Sequence, residues 1–184
     1  MHSKKIKQYS KKLSWLLRHG ALQEGVPMDP AGWVSVTATL EYLSISHQDL
    51  MLVLLQNNKA RFELQNNRLR ACQGHSLESL PITQEALEDS WFKYDSESDS
   101  IWHATQRQFV AAIKAKGLLR GQRSHVHLAS TLDSPVGKRV GAPVLIEVSC
   151  QKLRAEGYEV FQSSNGVILT RHVPVNCILH IRDT

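Results

Sequence analysis

Four short basic clusters stand out in this sequence, because each groups side chains that could act on an anion. They are Arg18-His19, Arg68-Leu-Arg-Ala-Cys-Gln-Gly-His75, Arg123-Ser-His-Val-His127 and Lys138-Arg139. Arginine carries a rigid fork of N–H donors that matches the oxygens of a phosphate. Several arginines at one point would hold a dianionic phosphate, whereas each one taken singly is more typical of a solvated surface residue.

Several other site motifs are absent from the sequence. No Gly-x-Gly-x-x-Gly and no Walker loop occurs, which disfavours a Rossmann or P-loop nucleotide site, and there is no Gly-x-Ser-x-Gly or His-Glu-x-x-His. His125 and His127 share a strand face, a spacing that suits a metal, but no third ligand is evident and hydrogen-bonded strand histidines are the stronger interpretation. The three cysteines include no Cys-x-x-Cys pair, so neither a disulfide framework nor a zinc site is indicated.

The net charge of +5 over 184 residues is unevenly distributed. Residues 1–78 carry ten Lys and Arg against six Asp and Glu, and residues 79–184 carry twelve against eleven. A basic excess suits an anionic partner but equally serves ordinary solubility. No apolar run approaches the roughly 20 residues of a membrane span, and no apolar signal region follows the first basic residues. A cytoplasmic protein is therefore expected.

The first helix is predicted from an apolar stripe that repeats at helical spacing and stops at Gly20. The stripe consists of Ile6, Tyr9, Leu13, Leu16 and Leu17. Trp15 lies off this stripe, three and four residues before Arg18 and His19, so these three side chains are predicted to form one patch.

Two further helices and a hairpin are predicted in residues 1–78. Ser35 and Ser46 are suitable caps for the two helices. Asn66-Asn67 is a turn between strands at 61–64 and 68–71. Three helices followed by a hairpin is the pattern of a winged helix, a module that usually binds nucleic acid.

The second half is predicted to be an α+β lobe dominated by short strands. The polar connection 85–100 should lie on the surface, pinned by Trp91, Phe92 and Tyr94. The expected strands cover 101–105, 125–128, 144–148, 158–161, 167–169 and 178–181, with a helix over 106–116.

These segments resemble, in the same order, those of the RNA 2′-phosphotransferase family, best known for the final step of tRNA splicing. The matching pieces are Leu13-Ser-Trp-Leu-Leu-Arg-His-Gly20, Gly32-Trp-Val34, Arg70-Ala-Cys-Gln-Gly-His-Ser76, Trp102-His-Ala-Thr105, His125-Val-His-Leu128, Val136-Gly-Lys-Arg139 and Asn165-Gly-Val-Ile-Leu-Thr170. The resemblance implies an α+β fold with a winged-helix-like RNA-binding lobe over 1–78. An ADP-ribosyltransferase-like, NAD-binding lobe would cover 79–184.

The resemblance also implies roles for individual residues. The catalytic set would be Arg18, His19, Arg70 and Arg123. A His-His-hydrophobic signature of the NAD lobe matches His103, His127 and Val167, and weaker candidates near the dinucleotide are Thr105, Ser130, Arg139 and Asn165. The chain departs from the family pattern at Ala104, where Gly is usual, at Ile168, where Trp is common, and at Val140, where His often follows the arginine.

The chemistry that the resemblance implies uses NAD⁺ and no metal. The 2′-phosphate of an RNA, for instance a tRNA, attacks the anomeric carbon of the nicotinamide ribose and expels nicotinamide. The adjacent ribose hydroxyl then attacks phosphorus, so the RNA leaves with a 2′-OH and ADP-ribose 1″,2″-cyclic phosphate forms. The protein is expected to be a monomer. Two alternatives remain open: an ADP-ribosyltransferase that caps nucleic-acid phosphates, and a non-catalytic RNA-binding module.

Overall fold

The chain divides into two units, Met1–Ser90 and Trp91–Thr184, in a computed structural model that describes residues 3–95, 100–139 and 141–184. Glu97 and Asp99 of the predicted polar connection, and Val140, lie outside the described residues. The division after Ser90 leaves residues 79–90 with the first unit. There the backbone N–H of Thr83 donates to the carbonyl of Pro30 at 3.1 Å.

The described part of the first unit contains four α-helices. They are α1 (Ser3–Trp15), which continues into a π-helical turn (Leu16–Gly20), α2 (Val36–Leu43), α3 (His47–Leu55) and α4 (Gln84–Glu88). The hydroxyls of Ser35 and Ser46 accept hydrogen bonds from backbone N–H groups in the first turns of α2 and α3, at 3.0 and 3.1 Å. Both predicted caps are therefore confirmed. The π-helical turn and α4 were not predicted.

A three-stranded antiparallel sheet completes the first unit. Its strands are β1 (Val34–Ser35), β2 (Phe62–Gln65) and β3 (Arg68–Ala71), in the order β1-β3-β2. Asn66 and Asn67 both have positive φ, 49° and 57°, which is the backbone of a two-residue hairpin turn. The predicted hairpin is thus confirmed. In the core of the unit, α1 to α3 pack against β3 through Leu13, Leu43, Leu50 and Leu69.

The second unit is built mainly of short antiparallel strands. They are β4 (Phe92–Lys93), β5 (Ser100–Thr105), β6 (Leu118–Leu119), β7 (Val126–Leu128), β8 (Val144–Ser149), β9 (Phe161–Gln162), β10 (Ile168–Thr170), β11 (His172–Val173) and β12 (Ile178–Asp183). One sheet has the order β4-β9-β10-β7 and another β12-β8-β5, while β11 pairs with β6. The molecule is thus α+β with several small antiparallel sheets.

Among residues 100–139 and 141–184, two short helices and two 3₁₀ turns connect these strands. The helices are α5 (Val110–Lys116) and α6 (Cys150–Ala155), and the turns cover Arg107–Phe109 and Val175–Cys177. The helix predicted over 106–116 therefore begins as a 3₁₀ turn, and α6 was not predicted. None of the described helices is long and apolar enough to cross a membrane.

The aromatic residues predicted to pin the polar connection behave differently from one another. Trp91 and Tyr94 are buried, as expected. Phe92 is 70% exposed, so that part of the prediction is wrong. Phe92 and Lys93 form the edge strand β4, and both side chains are exposed, whereas Trp91 and Tyr94 on either side of the strand are buried.

A pair of backbone hydrogen bonds joins the two larger sheets of the second unit. Trp102 of β5 donates to Ala129 at 2.9 Å and accepts from it at 2.8 Å. Just beyond, Gly137 packs onto the end of β7: a Cβ at this glycine would lie 2.0 Å from the carbonyl oxygen of Leu128. Gly137 also has a φ of +81°, so both its conformation and its surroundings require glycine.

We expect Gly137→Ala to destabilise the protein more than Gly121→Ala. Gly121 has a similar φ of +62°, but a Cβ at this position would meet nothing within 4 Å. The control should therefore show only the left-handed penalty, about 1–2 kcal/mol. In Gly137→Ala the backbone of β7 must also move, so its midpoint in urea unfolding should be the lower of the two. Equal midpoints would contradict the close packing of Gly137 on β7.

Candidate functional site

The Arg18-His19 pair lies in the π-helical turn that ends the first helix and is held by a segment from the other end of the unit. Arg18 donates from one terminal nitrogen to Oε1 of Gln73 at 3.0 Å. His19 Nδ1 and the hydroxyl of Ser76 are 2.7 Å apart, and the backbone N–H of Ser76 donates to the Arg18 carbonyl at 2.9 Å. Three hydrogen bonds thus fix this turn against the Gln73–Ser76 segment. Because the Gln73 side chain is a neutral amide, its bond orients Arg18 without cancelling the charge.

Gly20 is the last residue of the π-helical turn, and its lack of a side chain serves close packing. Its backbone is covered by the ring of Trp15, which a Cβ at position 20 would approach to 2.2 Å. Gly20 does not adopt positive φ. The indole of Trp15 therefore packs over the glycine of the same turn that presents Arg18 and His19.

A second close contact joins the loop that contains Gly32 to the Gln73–Ser76 segment. His75 is fully buried, and its Nε2 would lie 2.9 Å from a Cβ at Gly32, which has a φ of +83°. Gly32 therefore lets the loop before β1 pack directly on the Gln73–Ser76 segment. Any larger residue at 32 would push His75 and, with it, the two side chains that hold Arg18 and His19.

Arg70 is placed on β3 as the buried half of an ion pair. Its side chain is 5% exposed. Nε and one terminal nitrogen both donate to Oε2 of Glu63, at 3.1 and 2.7 Å, and the other terminal nitrogen lies 3.5 Å from the Ala31 carbonyl. Glu63 stands directly opposite Arg70 in the hairpin. This acceptor set orients the guanidinium, and the adjacent carboxylate offsets its charge.

Trp33 gives Arg70 a second support. The guanidinium lies 4.4 Å from the centre of the Trp33 ring, and that of Arg68 lies 5.4 Å from it. Asp29 fixes this arrangement because one carboxylate oxygen accepts from the backbone N–H of Trp33 at 2.9 Å and the other pairs with Arg68 at 3.1 Å. The two arginines are therefore stacked on an indole whose backbone is itself hydrogen-bonded.

In the second unit, hydrogen bonds connect His103, His127 and Arg123. His103 Nδ1 lies 2.9 Å from the His127 carbonyl, and since a carbonyl only accepts, Nδ1 must carry the proton. The Arg123 guanidinium donates to Nδ1 of His127 at 2.8 Å, so a neutral His127 carries its proton on Nε2. The tautomers of both rings follow from these partners, and Nε2 of neutral His103 is an acceptor.

Burial and charge favour the neutral form of His103. Burial lowers the pKa of His103, the nearby Arg123 charge lowers it further, and the hydrogen bond to the His127 carbonyl opposes the shift. Burial also lowers the pKa of Arg123. Arg123 as a whole residue is nevertheless exposed. It remains cationic at neutral pH, because the ordinary pKa of arginine is far above 7.

The remaining candidates of the second unit lie at strand ends and turns. Thr105 is buried at the end of β5, and Val167 is buried immediately before β10. Asn165 accepts a hydrogen bond from the Ser163 hydroxyl at 2.9 Å in the turn after β9. Ser130 is partly exposed just after β7, and Arg139 is exposed.

Two sequence features take on structural roles. His125 precedes β7 and is fully buried, with its ring 4.9 Å from that of Trp91 in an edge-to-face arrangement. Lys138 donates to the carbonyls of Leu132 and Ser134, which closes the loop that carries Gly137. Within the described ranges, no three His, Cys, Asp or Glu side chains are grouped so that they could hold a metal ion.

Sequence reasoning missed the residues that orient the candidate site. Gln73, Ser76 and Glu63 contact Arg18, His19 and Arg70. Gln73 and Ser76 were visible only as parts of a matching segment. Glu63 had a direct signal that was overlooked, because it faces Arg70 across a two-residue hairpin, where opposite charges pair.

The chain is similar to known proteins over most of its length. A profile of the family described as "RNA 2′-phosphotransferase, Tpt1/KptA family" matches residues 4–172. A protein of Acaryochloris marina named "Probable RNA 2′-phosphotransferase" is 33% identical, with 96% of this chain and 97% of the relative covered. Proteins of the same name from Pseudomonas fluorescens and Pyrobaculum aerophilum are 34% and 35% identical. They cover 97% and 95% of this chain and 98% and 81% of their own lengths.

We expect the His103 ring to titrate below the ordinary histidine pKa of about 6.5. Burial disfavours its imidazolium, and Arg123 adds repulsion. NMR titration of the ring nitrogens should show a low pKa and a proton on Nδ1, and Arg123→Gln should raise the pKa. A His103 pKa above the ordinary value, or one insensitive to Arg123→Gln, would contradict the described geometry.

Proposed function

Because this chain belongs to the RNA 2′-phosphotransferase family, an enzyme family that acts on the 2′-phosphate of RNA, we propose that NAD⁺ accepts this phosphate. The observation that carries the proposal is the Arg18-His19 turn, whose side chains are both oriented by Gln73 and Ser76. A pre-oriented cation beside an imidazole suits a phosphate whose transfer needs charge stabilisation and one proton transfer.

The first unit, in this proposal, is a winged-helix-like lobe that binds RNA and handles its phosphate. Arg18 contacts the phosphate oxygens. Ser76 engages Nδ1 of His19, and Nε2 is the nitrogen assigned to the phosphate or the attacking hydroxyl. Arg70 stays in the proposed set, with Glu63 and Trp33 holding its guanidinium in place. The phosphate therefore meets, at Arg18, a donor that needs little reorganisation. Arg70 is buried against Glu63 and would have to release that carboxylate before it could contact the phosphate.

The second unit is proposed as an ADP-ribosyltransferase-like lobe that binds NAD⁺. Neutral His103, protonated on Nδ1, offers an acceptor nitrogen that suits a ribose hydroxyl, and Arg123 supplies a cation for a phosphate. Thr105, Ser130, Arg139, Asn165 and the apolar Val167 complete the proposed dinucleotide set. Ala104 is compatible with this role, since its side chain is buried and alternation along β5 directs it to the face opposite His103 and Thr105.

NAD⁺ would supply an anomeric carbon with a good leaving group. A phosphate oxygen of the RNA bonds to that carbon as the bond to nicotinamide breaks. In the second step the neighbouring ribose hydroxyl bonds to phosphorus and the bond to the RNA 2′-oxygen breaks. Step one uses a nucleophile that is already anionic. Step two removes a proton from the ribose hydroxyl, gathers negative charge around phosphorus and requires a proton on the departing RNA 2′-oxygen. His19 is proposed to transfer the proton and the arginines to stabilise the charge.

Removal of the 2′-phosphate should depend strictly on NAD⁺. A 2′-phosphorylated oligoribonucleotide incubated with the protein in EDTA should lose its phosphate only when NAD⁺ is added, with one nicotinamide released per phosphate. ADP-ribose lacks the leaving group and is the matched control. Loss of phosphate without NAD⁺ would show an ordinary phosphatase. Stable ADP-ribosylation without phosphate loss would show the nucleic-acid capping reaction instead.

His19→Ala should slow the second step more than the first. Loss of a donor to a charged transition state typically costs about 2.7–4 kcal/mol, roughly a hundred- to a thousandfold in rate. RNA carrying ADP-ribose on its 2′-phosphate should then accumulate as a larger band on a denaturing gel. His47→Ala, at an exposed helix position, is the control and should behave as the native protein. Slow turnover of His19→Ala without that band would place His19 in the first step.

A further inference from the structure

A groove outside the Arg18-His19 turn is lined by cations of the first unit. It has a volume of about 530 Å³. One wall is α1, and the other is the C-terminal end of α3 together with the connection that follows it. Lys7 and Lys11 contribute from α1 and Arg61 from the connection, and none of the described residues that line it is acidic. Cations from two separate segments therefore face one concave surface. Lysines that served only solubility would lie on a convex helix face, with no second basic segment opposite them.

The α1 wall of this groove follows from helical spacing. Lys7, Ser10, Lys11 and Ser14 are at positions i, i+3, i+4 and i+7, which lie on one face of a helix. The full α1 sequence carries five lysines and no acidic residue. Its charge is therefore uncompensated within the helix, and two of its cations are directed to the groove together with two hydroxyls.

The opposite wall orients its cation through a neutral group. Arg61 donates from one terminal nitrogen to Oδ1 of Asn57 at 3.0 Å, and both residues line the groove. An amide fixes the guanidinium without neutralising it, in contrast to the Glu63–Arg70 pair. Hydroxyl, amide and guanidinium donors are the groups that proteins use to contact the phosphates and sugars of a nucleic acid.

The size and position of the groove identify an extended anion. A volume of 530 Å³ is within the range of sites for drug-sized ligands, roughly 300–1,000 Å³, and exceeds what one inorganic phosphate needs. Arg18 follows Lys11 by seven residues, about 10 Å at 1.5 Å per residue. We propose that this groove binds backbone phosphates of the RNA strand, a few nucleotides away from the reacting 2′-phosphate. The choice of RNA as the anion rests on the proposed function.

The test uses single-stranded RNA without a 2′-phosphate and without NAD⁺, so that it is independent of catalysis. Binding is measured by fluorescence anisotropy over a salt series for the native protein, Lys7→Gln/Lys11→Gln and the control Lys4→Gln/Lys5→Gln. The control removes the same charge from the same helix, at exposed residues outside the groove. Each phosphate contact contributes about 0.7 to the slope of log K against log salt. The groove variant should therefore lose about 1.4 of slope, and the control should keep the native slope.

Two results would overturn the proposal: equal slope losses in both double variants, which mark a diffuse basic surface, or no loss in the groove variant.

A second readout uses 2′-phosphorylated substrates of two lengths. Lys7→Gln/Lys11→Gln should raise the KM of a long oligonucleotide, with kcat and the KM of a dinucleotide unchanged. The two proposals can fail separately. If the native protein lacks phosphotransferase activity but the groove variant still loses more salt slope than the control, the proposed function is wrong and the RNA-binding groove is supported.

Discussion

The hydrogen bonds between the Arg18-His19 turn and the Gln73–Ser76 segment are the interactions on which the candidate site depends. They join residues 55 and 57 positions apart and bring the end of α1 to the chain that leaves β3. A hydrogen bond to a charged group is worth about 1.5–3 kcal/mol, enough to hold the long Arg18 side chain in one orientation. The π-helical turn suits this task, because such turns widen a helix locally and frequently occur at functional positions.

Glycines make these contacts possible by letting rings and backbones approach closely. The Trp15 ring packs over Gly20, the ring of buried His75 lies against Gly32, and Gly137 packs on the carbonyl of Leu128. Gly20 and Gly137 belong to the segments that carry Arg18-His19 and Arg139, and Gly32 packs against the Gln73–Ser76 segment. The motifs therefore combine side chains for chemistry with glycines that set where those side chains lie.

Local signals predicted the elements, and contacts distant in sequence determined the site. Ser35, Ser46 and the Asn66-Asn67 turn act within four residues, so their roles could be read directly. The π-helical turn could not, because its apolar residues fit the same stripe as an α-helix. Phe92 was expected to pin the polar connection because of its aromatic side chain alone, although strand pairing decides which side chains meet the core. The oxygens that orient Arg18 and Arg70 come from other segments, and no spacing rule selects Gln73.

The positioning of Arg18 by Gln73 for the phosphate is tested most directly by a double-mutant cycle. The kcat/KM of the native protein, Arg18→Ala, Gln73→Ala and the double variant would be measured on one 2′-phosphorylated oligonucleotide. If Gln73 acts through Arg18, its loss should slow the native protein but have little further effect once Arg18 is absent. Strictly multiplicative losses in the double variant would contradict this positioning role, because they would show that the two side chains act independently.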